Sequence, residues 1–325
     1  MAVRAYRAGR RYGAKFIKER LGHETPKAVM NRYWNEWKGR RTRTLSRESS
    51  RQLARRFFRG FCKESGERYR PWLPFPGRGK VGIVLCIRNE KKTVERVLNE
   101  LDRLPFHEII AVVNGSTDGS FEKIRKHRAG VTILHYEEPL GHDVGRAIGA
   151  RVSTSDILLF ADGDLPIRAE KLLHFVEEIE KGADVALNDI TPYLRPFSRR
   201  DAVSTVKEFV NRALGRPDLM ANSLTAVPHA LSRKALERIG AAALAVPPLA
   251  QVIAIQSGLR IKAPASVNII RGNRRRASNS GHLNPVSRLI AGDHLEALHR
   301  ALHKSGSRLH YKDHMRRREY AEVGR

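Results

Sequence analysis

Ile157-Leu158-Leu159-Phe160-Ala161-Asp162-Gly163-Asp164 is the stretch on which the fold of this chain turns. Five apolar residues run into two acids separated by a glycine. An apolar run of this length, ended by a turn, reads as a strand buried on both faces. Its acids then fall at the carboxyl end of the strand, the edge where open α/β sheets place their ligands. Two carboxylates crowded on one turn repel each other unless a cation neutralises them. Hard oxygen donors suit Mg²⁺ or Mn²⁺, ions usually bound together with substrate phosphates. An isolated Asp-X-Asp is also what many turns and helix caps look like, so the neighbouring sequence has to carry the reading.

Outward from this stretch the texture alternates. Strands are expected over 81–87, 108–113, 131–136, 156–161 and 184–188, and helices over 93–101, 120–127, 144–152 and 169–180. In the first helix Val94, Val97, Leu98 and Leu101 mark a buried face. Alternating units of this length predict an α/β fold with a mostly parallel sheet and helices on both faces. Four loops then converge at the carboxyl edge. The first is Ile87-Arg88-Asn89-Glu90, the second Asn114-Gly115-Ser116-Thr117-Asp118-Gly119, the third runs from Glu137 through Gly141, His142 and Gly145 to Arg146, and the fourth is Asp162-Gly163-Asp164. Asn114, Ser116 and Asp118 offer short donors and acceptors for a base or ribose, and Ser116 also suits a helix start. Gly141 and Gly145 let backbone approach a phosphate with a helix amino terminus behind it. His142 and Arg146 add donors or positive charge, and Asp162 and Asp164 would hold the metal.

Charge is unevenly spread over the 325 residues. Residues 1–80 hold 23 Lys/Arg against 6 Asp/Glu, residues 81–270 are nearly balanced, and residues 271–325 hold 13 against 5. The expected organisation is a basic helical extension (1–65), a Pro/Gly-rich linker (66–80), the α/β domain (81–270) and a basic helical tail (271–325). In the extension, Thr25-Pro26 is a helix start, and Val29, Tyr33 and Trp37 make an aromatic stripe answered by Leu53, Phe57 and Phe61 after a cap at Ser46. The stripe is expected to pack on the main domain, the alternative being a basic amphipathic surface on anionic membrane. Basic ends predict attraction to a polyanion: anionic membrane or wall polymer ahead of nucleic acid. Cys62 and Cys86 make no disulfide framework, which fits a reducing cytoplasm, and no apolar segment follows the basic start as a signal peptide would need. The uncharged run 239–259 contains Pro247-Pro248, Gln251 and Gln256, and reads as two buried helices with a break rather than a membrane span. Basic triplets at Arg274-Arg275-Arg276 and Arg316-Arg317-Arg318 bracket a helix expected to begin near Pro285, with histidines from His282 to His314. His299 and His303 are spaced to share a metal, but no zinc signature accompanies them.

The opening strand ending in Asn89-Glu90, the Gly115-Ser116-Thr117-Asp118 loop and the Asp162-Gly163-Asp164 motif together resemble the family 2 glycosyltransferases of the GT-A fold. The resemblance covers residues 81–190 well and 191–270 loosely. It implies a GT-A type, Rossmann-like sheet, a nucleotide-diphospho-sugar donor, and Mg²⁺ or Mn²⁺ on Asp162 and Asp164. Ile87, Arg88, Glu90, Asn114, Ser116, Asp118, Gly141, His142 and Gly145 would line the donor site, with Arg146 beside the diphosphate. Two departures stand out. Val113-Asn114 replaces the usual Asp-Asp, and the late acidic pair of inverting members is missing from Ala245-Val246-Pro247-Pro248-Leu249-Ala250, as is a Gln-X-X-Arg-Trp motif. These bring the chain nearer to retaining enzymes such as the glucosyl-3-phosphoglycerate synthases.

The expected activity is therefore transfer of a sugar from a nucleotide-diphospho-sugar to an unknown acceptor, in envelope glycoconjugate or polysaccharide synthesis, by an enzyme that is cytoplasmic, either free or peripheral at the inner membrane face. The metal and Arg146 would stabilise charge on the leaving diphosphate. Asp189, Asp201, Glu208 and His229 are the candidates for deprotonating the acceptor. A sugar nucleotidyltransferase would carry a glycine-rich loop after the first strand, where Cys86-Ile87-Arg88-Asn89-Glu90 has no glycine, and a Rossmann dehydrogenase would carry Gly-X-Gly-X-X-Gly. A polyanion-binding protein on an inactive transferase core is the remaining alternative.

Overall fold

Four of the apolar runs become β1 (Val81–Ile87), β2 (Glu108–Asn114), β3 (Val131–Tyr136) and β4 (Ile157–Asp162), paired in parallel in the order β3-β2-β1-β4. This computed structural model describes residues 1–19, 25–40, 46–127, 130–269 and 285–321. Side chains alternate across a strand, so Ile83, Leu85 and Ile87 enter one core while Val84 enters the other. The first core is closed by α4 (Val94–Leu101) and α7 (Ala169–Glu180), the second by α6 (Val144–Val152), α9 (Arg233–Ile239) and α10 (Pro247–Gln256). α6 lies unusually close to the sheet, because a Cβ on Gly149 would stand 2.4 Å from Val84 Cγ1. The short α5 (Ser120–Arg125) follows β2.

The sheet extends beyond β4 by β6 (His229–Ser232), β5 (Val185–Asn188) and β7 (Ile261–Ala265), giving seven strands. β6 runs antiparallel between β4 and β5, and β7 pairs in parallel with β5 at the edge. Sequence periodicity marks neither β6 nor β7. Four residues of β6 are too few for a period, and β7 contains Pro264, which only an edge strand tolerates readily.

The basic extension forms α1 (Ala2–Glu19), α2 (Pro26–Gly39) and α3 (Arg47–Ser65). Thr25 and Ser46 cap the second and third through their hydroxyls, as their positions predict. The aromatic stripe differs from expectation. Tyr33, Trp34 and Trp37 close on Phe57, Phe58 and Phe61, making a separate core rather than packing on the sheet. The facing stripe on α3 is the better partner because α1 seals it: a Cβ on Gly60 would come 2.1 Å from Tyr6 O and one on Gly9 2.0 Å from Phe57 O. The extension meets the α/β domain where Lys27 Nζ reaches Asp102 Oδ1 (3.3 Å) and Asn35 Nδ2 donates to Phe75 O (2.9 Å). The proline-rich segment 66–80 is packed along its second half, with Leu73 and Phe75 inside the first core.

After β5, α8 (Ala202–Ala213) and the tail helix α11 (Pro285–Ser305) pack together with α10 through Val210, Val252, Ala297 and Ala301. The run 239–259 begins at the last residue of α9 and holds a 3₁₀ turn (Ala241–Ala245) and then α10, rather than two full helices, with Gln251 buried and its Nε2 donating to Asn211 Oδ1 at 3.2 Å. Among the described residues no helix is long and apolar enough to cross a membrane. Arg274-Arg275-Arg276 and His282 lie outside the described residues, and His299 and His303 are exposed.

Candidate active site

The turn after β1 and the loop after β2 are knitted together by side chains. Asn89, at φ +57, donates its backbone N–H to Ser116 Oγ (3.1 Å) and accepts from Thr117 N at Oδ1 (2.8 Å). Glu90 N donates to Ser120 Oγ (2.8 Å) and Lys91 N to Asp118 Oδ2 (2.9 Å). Asp118 also accepts from the amide and hydroxyl of Ser120. Burial pushes its carboxyl up, but these hydrogen bonds outweigh that and hold it below the usual carboxylate range. Ser116 and Asp118 thus bind the two loops to each other.

The Asp162-Gly163-Asp164 turn joins the same assembly. Gly163 N donates to Cys86 O (2.9 Å), and Thr93 Oγ1 donates to Gly163 O (2.9 Å) while lying 3.3 Å from Glu90 Oε2. Ile87 and Glu90 are buried beneath the turn and Arg88 is exposed beside it. A Cβ on Gly163 would stand 2.8 Å from Ile87 Cγ1. Gly163→Ala is therefore expected to displace the turn and to destabilise the protein by about 1–3 kcal/mol, read as a lower urea midpoint at unchanged slope. An unchanged midpoint would mean that Ile87 yields without cost.

Asn114 clamps the third loop. Its Nδ2 donates to Gly141 O (2.9 Å), and its Oδ1 accepts from Leu140 N (2.7 Å). A carboxylate at this position accepts but does not donate, which gives a structural reason for asparagine. Gly141 sits at φ +104, a left-handed conformation suited to glycine. Gly145 serves packing, since its Cβ would lie 3.1 Å from Cys86 Sγ. His142 is half-exposed at the loop tip, 3.6 Å from Asp143 Oδ2.

Arg146 lies beneath the acidic turn, only 4% exposed. Its Nη2 is 3.1 Å from Asp143 Oδ1 and 3.9 Å from Asp162 Oδ1, and its Nη1 donates to Leu224 O (3.2 Å). Burial alone would lower its pKa, but Asp143 and Asp162 raise it, so the guanidinium stays charged. The Asp162 side chain keeps 34% of its surface exposed. Sequence reasoning missed Lys207 of α8, also buried here. Burial brings its ammonium down to about 8 against the opposing pull of Asp201, with Arg146 adding to the fall and Asp143 resisting it.

The candidates for acceptor activation are mostly occupied. His229 is fully buried and stacked on Phe160 at 4.9 Å between centroids, with Nδ1 facing Ala226 O at 3.2 Å. Burial, with Arg146 nearby, lowers its pKa to about 3, leaving a neutral imidazole closed off from solvent. Asp189 Oδ1 accepts from Thr191 N (3.0 Å) and Asn222 Nδ2 (3.1 Å). Asp201 caps α8 by accepting from Ser204 N at 2.9 Å. Glu208 pairs with Arg200 and with Arg212 at 2.8 Å.

Among the described residues no group of three or more His, Cys, Asp or Glu is placed to hold a metal ion. Asp162 and Asp164 nevertheless give two hard oxygen donors on one turn at the sheet edge. That set fits a Mg²⁺- or Mn²⁺-type ion whose remaining positions are taken by phosphates and water, and does not fit an all-protein cage.

Residues 82–240 match the glycosyl transferase family 2 model. Solved structures of glucosyl-3-phosphoglycerate synthase from Mycobacterium tuberculosis are similar in fold. Its complex with Mn²⁺, UDP and phosphoglyceric acid has a TM-score of 0.51 at 18% identity, covering 67% of this chain and 78% of that one. Its complex with phosphoglyceric acid gives 0.51 at 19%, over 67% and 80%. Its complex with Mn²⁺, UDP-glucose and phosphoglyceric acid gives 0.50 at 18%, over 67% and 79%. No curated protein sequence matches the chain.

Proposed function

We propose, from the premise that residues 82–240 form a glycosyl transferase family 2 domain, that this chain transfers a sugar from a UDP-sugar to an acceptor with a divalent metal at Asp162 and Asp164. One observation carries the reading: the two carboxylates stand on a turn that is bonded to the ends of β1 and, through Arg146, to the loop after β3. Nucleotide-sugar binding needs those loops to act as one surface. The UDP assignment rests on the fold neighbours, which are complexed with UDP or UDP-glucose and Mn²⁺.

When bound, Mg²⁺ or Mn²⁺ supplies Lewis-acid stabilisation of the diphosphate leaving group. The chain's own residues do the rest. Arg146 fixes Asp162 from below and balances its charge. Asn114 holds the Gly141 loop, whose tip presents His142 to the phosphates. Asn89, Ser116 and Asp118 lock the first two loops into a floor for the base and ribose. A thermal-shift panel of UDP, GDP, ADP, CDP and dTDP, each with and without Mn²⁺, tests this. UDP with Mn²⁺ is expected to stabilise by about 2.7 kcal/mol at a hundred times its Kd. Stabilisation by none of the five would refute the reading.

The N-terminal helix supplies a partner surface. Arg4, Arg7, Arg10 and Arg11 line an open hollow of about 580 Å³ with Ala14 and Glu64, and Val3 and Ile17 are exposed on the same helix, with Met1 exposed just before it. Arginines interleaved with apolar residues suit the headgroup region of an anionic bilayer, which supports a peripheral position at the inner membrane face. Sedimentation with vesicles containing phosphatidylglycerol is expected at low salt and lost at high salt, with Arg4→Glu/Arg7→Glu/Arg11→Glu abolishing it. Equal sedimentation with neutral vesicles, or none, would contradict this surface, and retention by DNA or wall polymer instead would reassign it.

A further inference from the structure

The two outer strands of the sheet are guarded differently. At one end β7 pairs only with β5. Its exposed Lys262, its Pro264, which lacks an N–H, and an irregular register against β5 all blunt that edge. At the other end β3 pairs only with β2, in unbroken register. Val131-Thr132-Ile133-Leu134-His135-Tyr136 holds no proline, glycine, lysine or acid. None of these residues is buried, and Thr132 and His135 are exposed. Among the described residues no backbone group bonds to the outer side of β3. An open, uncharged edge of this kind is a template for another strand.

The charges flanking β3 say which strand. Arg125 and Lys126 lead into it, and Glu137 and Glu138 follow it. All four are exposed, and among the described residues none has an ion pair. In an antiparallel pair of two β3 strands, the basic approach of each copy lies beside the acidic exit of the other. A parallel pair would set like charge against like. The partly buried Val131 and Ile133 on one face and Leu134 and Tyr136 on the other would each gain cover from the same residues of the second copy.

We propose that β3 is a self-association edge, at which two copies of this chain join their seven-stranded sheets into one continuous sheet by antiparallel β3–β3 pairing. The inference is independent of the transferase reading. Side chains directly opposite each other in an antiparallel pair share a face, and a two-fold contact pairs residue i with j and j with i. The axis therefore passes through a residue, and the registers that use the strand most fully centre on Ile133 or Leu134. The acidic turn stands at the carboxyl end of the parallel strands, so the two turns of the dimer lie toward opposite ends of the joined edge. The Glu137–Arg146 loop begins where β3 ends, at the bond from Gly115 N to Tyr136 O (2.9 Å). The dimer thus braces the strand that carries this loop.

Analytical ultracentrifugation of the full chain tests this. One strand edge is a small interface, so the wild type is expected to be monomeric at about 1 µM and mostly dimeric at about 200 µM. Thr132→Lys/His135→Lys places charge on two exposed positions of the edge, as natural edge strands do. It is expected to unfold like wild type and to stay monomeric throughout. A second arm does not depend on that variant folding. Of Ile133→Cys and Leu134→Cys, the one on the two-fold axis is expected to crosslink into a disulfide dimer under mild oxidation, beyond any crosslinking of the wild type, because directly opposed residues lie within disulfide reach. A monomeric wild type at the highest concentration, a folded lysine variant that dimerises as strongly as wild type, or no crosslinking at either cysteine would each overturn the proposal.

Discussion

Asp162→Asn and Asp164→Asn are each expected to lower metal-dependent turnover of the donor by at least about 100-fold, or ~2.7 kcal/mol of transition-state stabilisation. Both carboxylates stand at the carboxyl edge of the sheet, and replacing either by its amide keeps the side chain's shape, so only a small fall in melting temperature is expected. Asp162 faces Arg146 at 3.9 Å, and its loss leaves the guanidinium with Asp143 alone, a small cost because Asp162 is itself partly solvated. The distinctive outcome is loss of turnover without loss of fold. Full metal-dependent activity in both variants would remove the acidic turn from the mechanism.

Arg146→Met is expected to have the largest effect on stability. Asp143 and Arg146 are each 5% exposed in their side chains and 3.1 Å apart. Breaking a buried pair from one side leaves an uncompensated charge and costs about 3–5 kcal/mol. Arg146→Lys should recover only part, because an ammonium cannot reproduce the fork that meets two carboxylates and Leu224 O together. Urea unfolding of the three proteins checks this order. If Arg146→Met unfolds like wild type while kcat falls, Arg146 faces the donor directly, and its role as the support beneath Asp162 is wrong.

The parallel half of the sheet was legible because its strands are buried on both faces and so read as apolar runs. β4 carries both the fold signal and the acidic turn, which is why one stretch pointed to both. β6 and β7 escaped because His229-Ala230-Leu231-Ser232 is short and Pro264 breaks the second pattern; their pairing is imposed by the sheet edge on offer, not by local propensity. The aromatic stripe of α2 was correctly read as core-facing, but a period cannot say which surface it meets. Gly9 and Gly60, which let α1 approach α3, decide that.

The site was legible in part for a similar reason. Its loops share the carboxyl edge that the βα alternation dictates. What each polar residue does there depends on contacts that the sequence does not contain. Asn114 spends its amide on Leu140 and Gly141, Asp118 accepts with its carboxylate from Lys91 and Ser120, and Arg146 turns inward to Asp143. Lys207 carries no motif at all. It comes near Arg146 and Asp143 only because α8 folds back over them, a juxtaposition absent from any local pattern.

The most direct test of the central claim is calorimetric titration of UDP into the wild-type protein with Mn²⁺ and again with EDTA. The account predicts one site per chain that binds with Mn²⁺ and weakens at least about tenfold without it, ~1.4 kcal/mol, with the difference vanishing in Asp162→Asn/Asp164→Asn. Binding of equal strength with and without metal, or no binding in either condition, would contradict it.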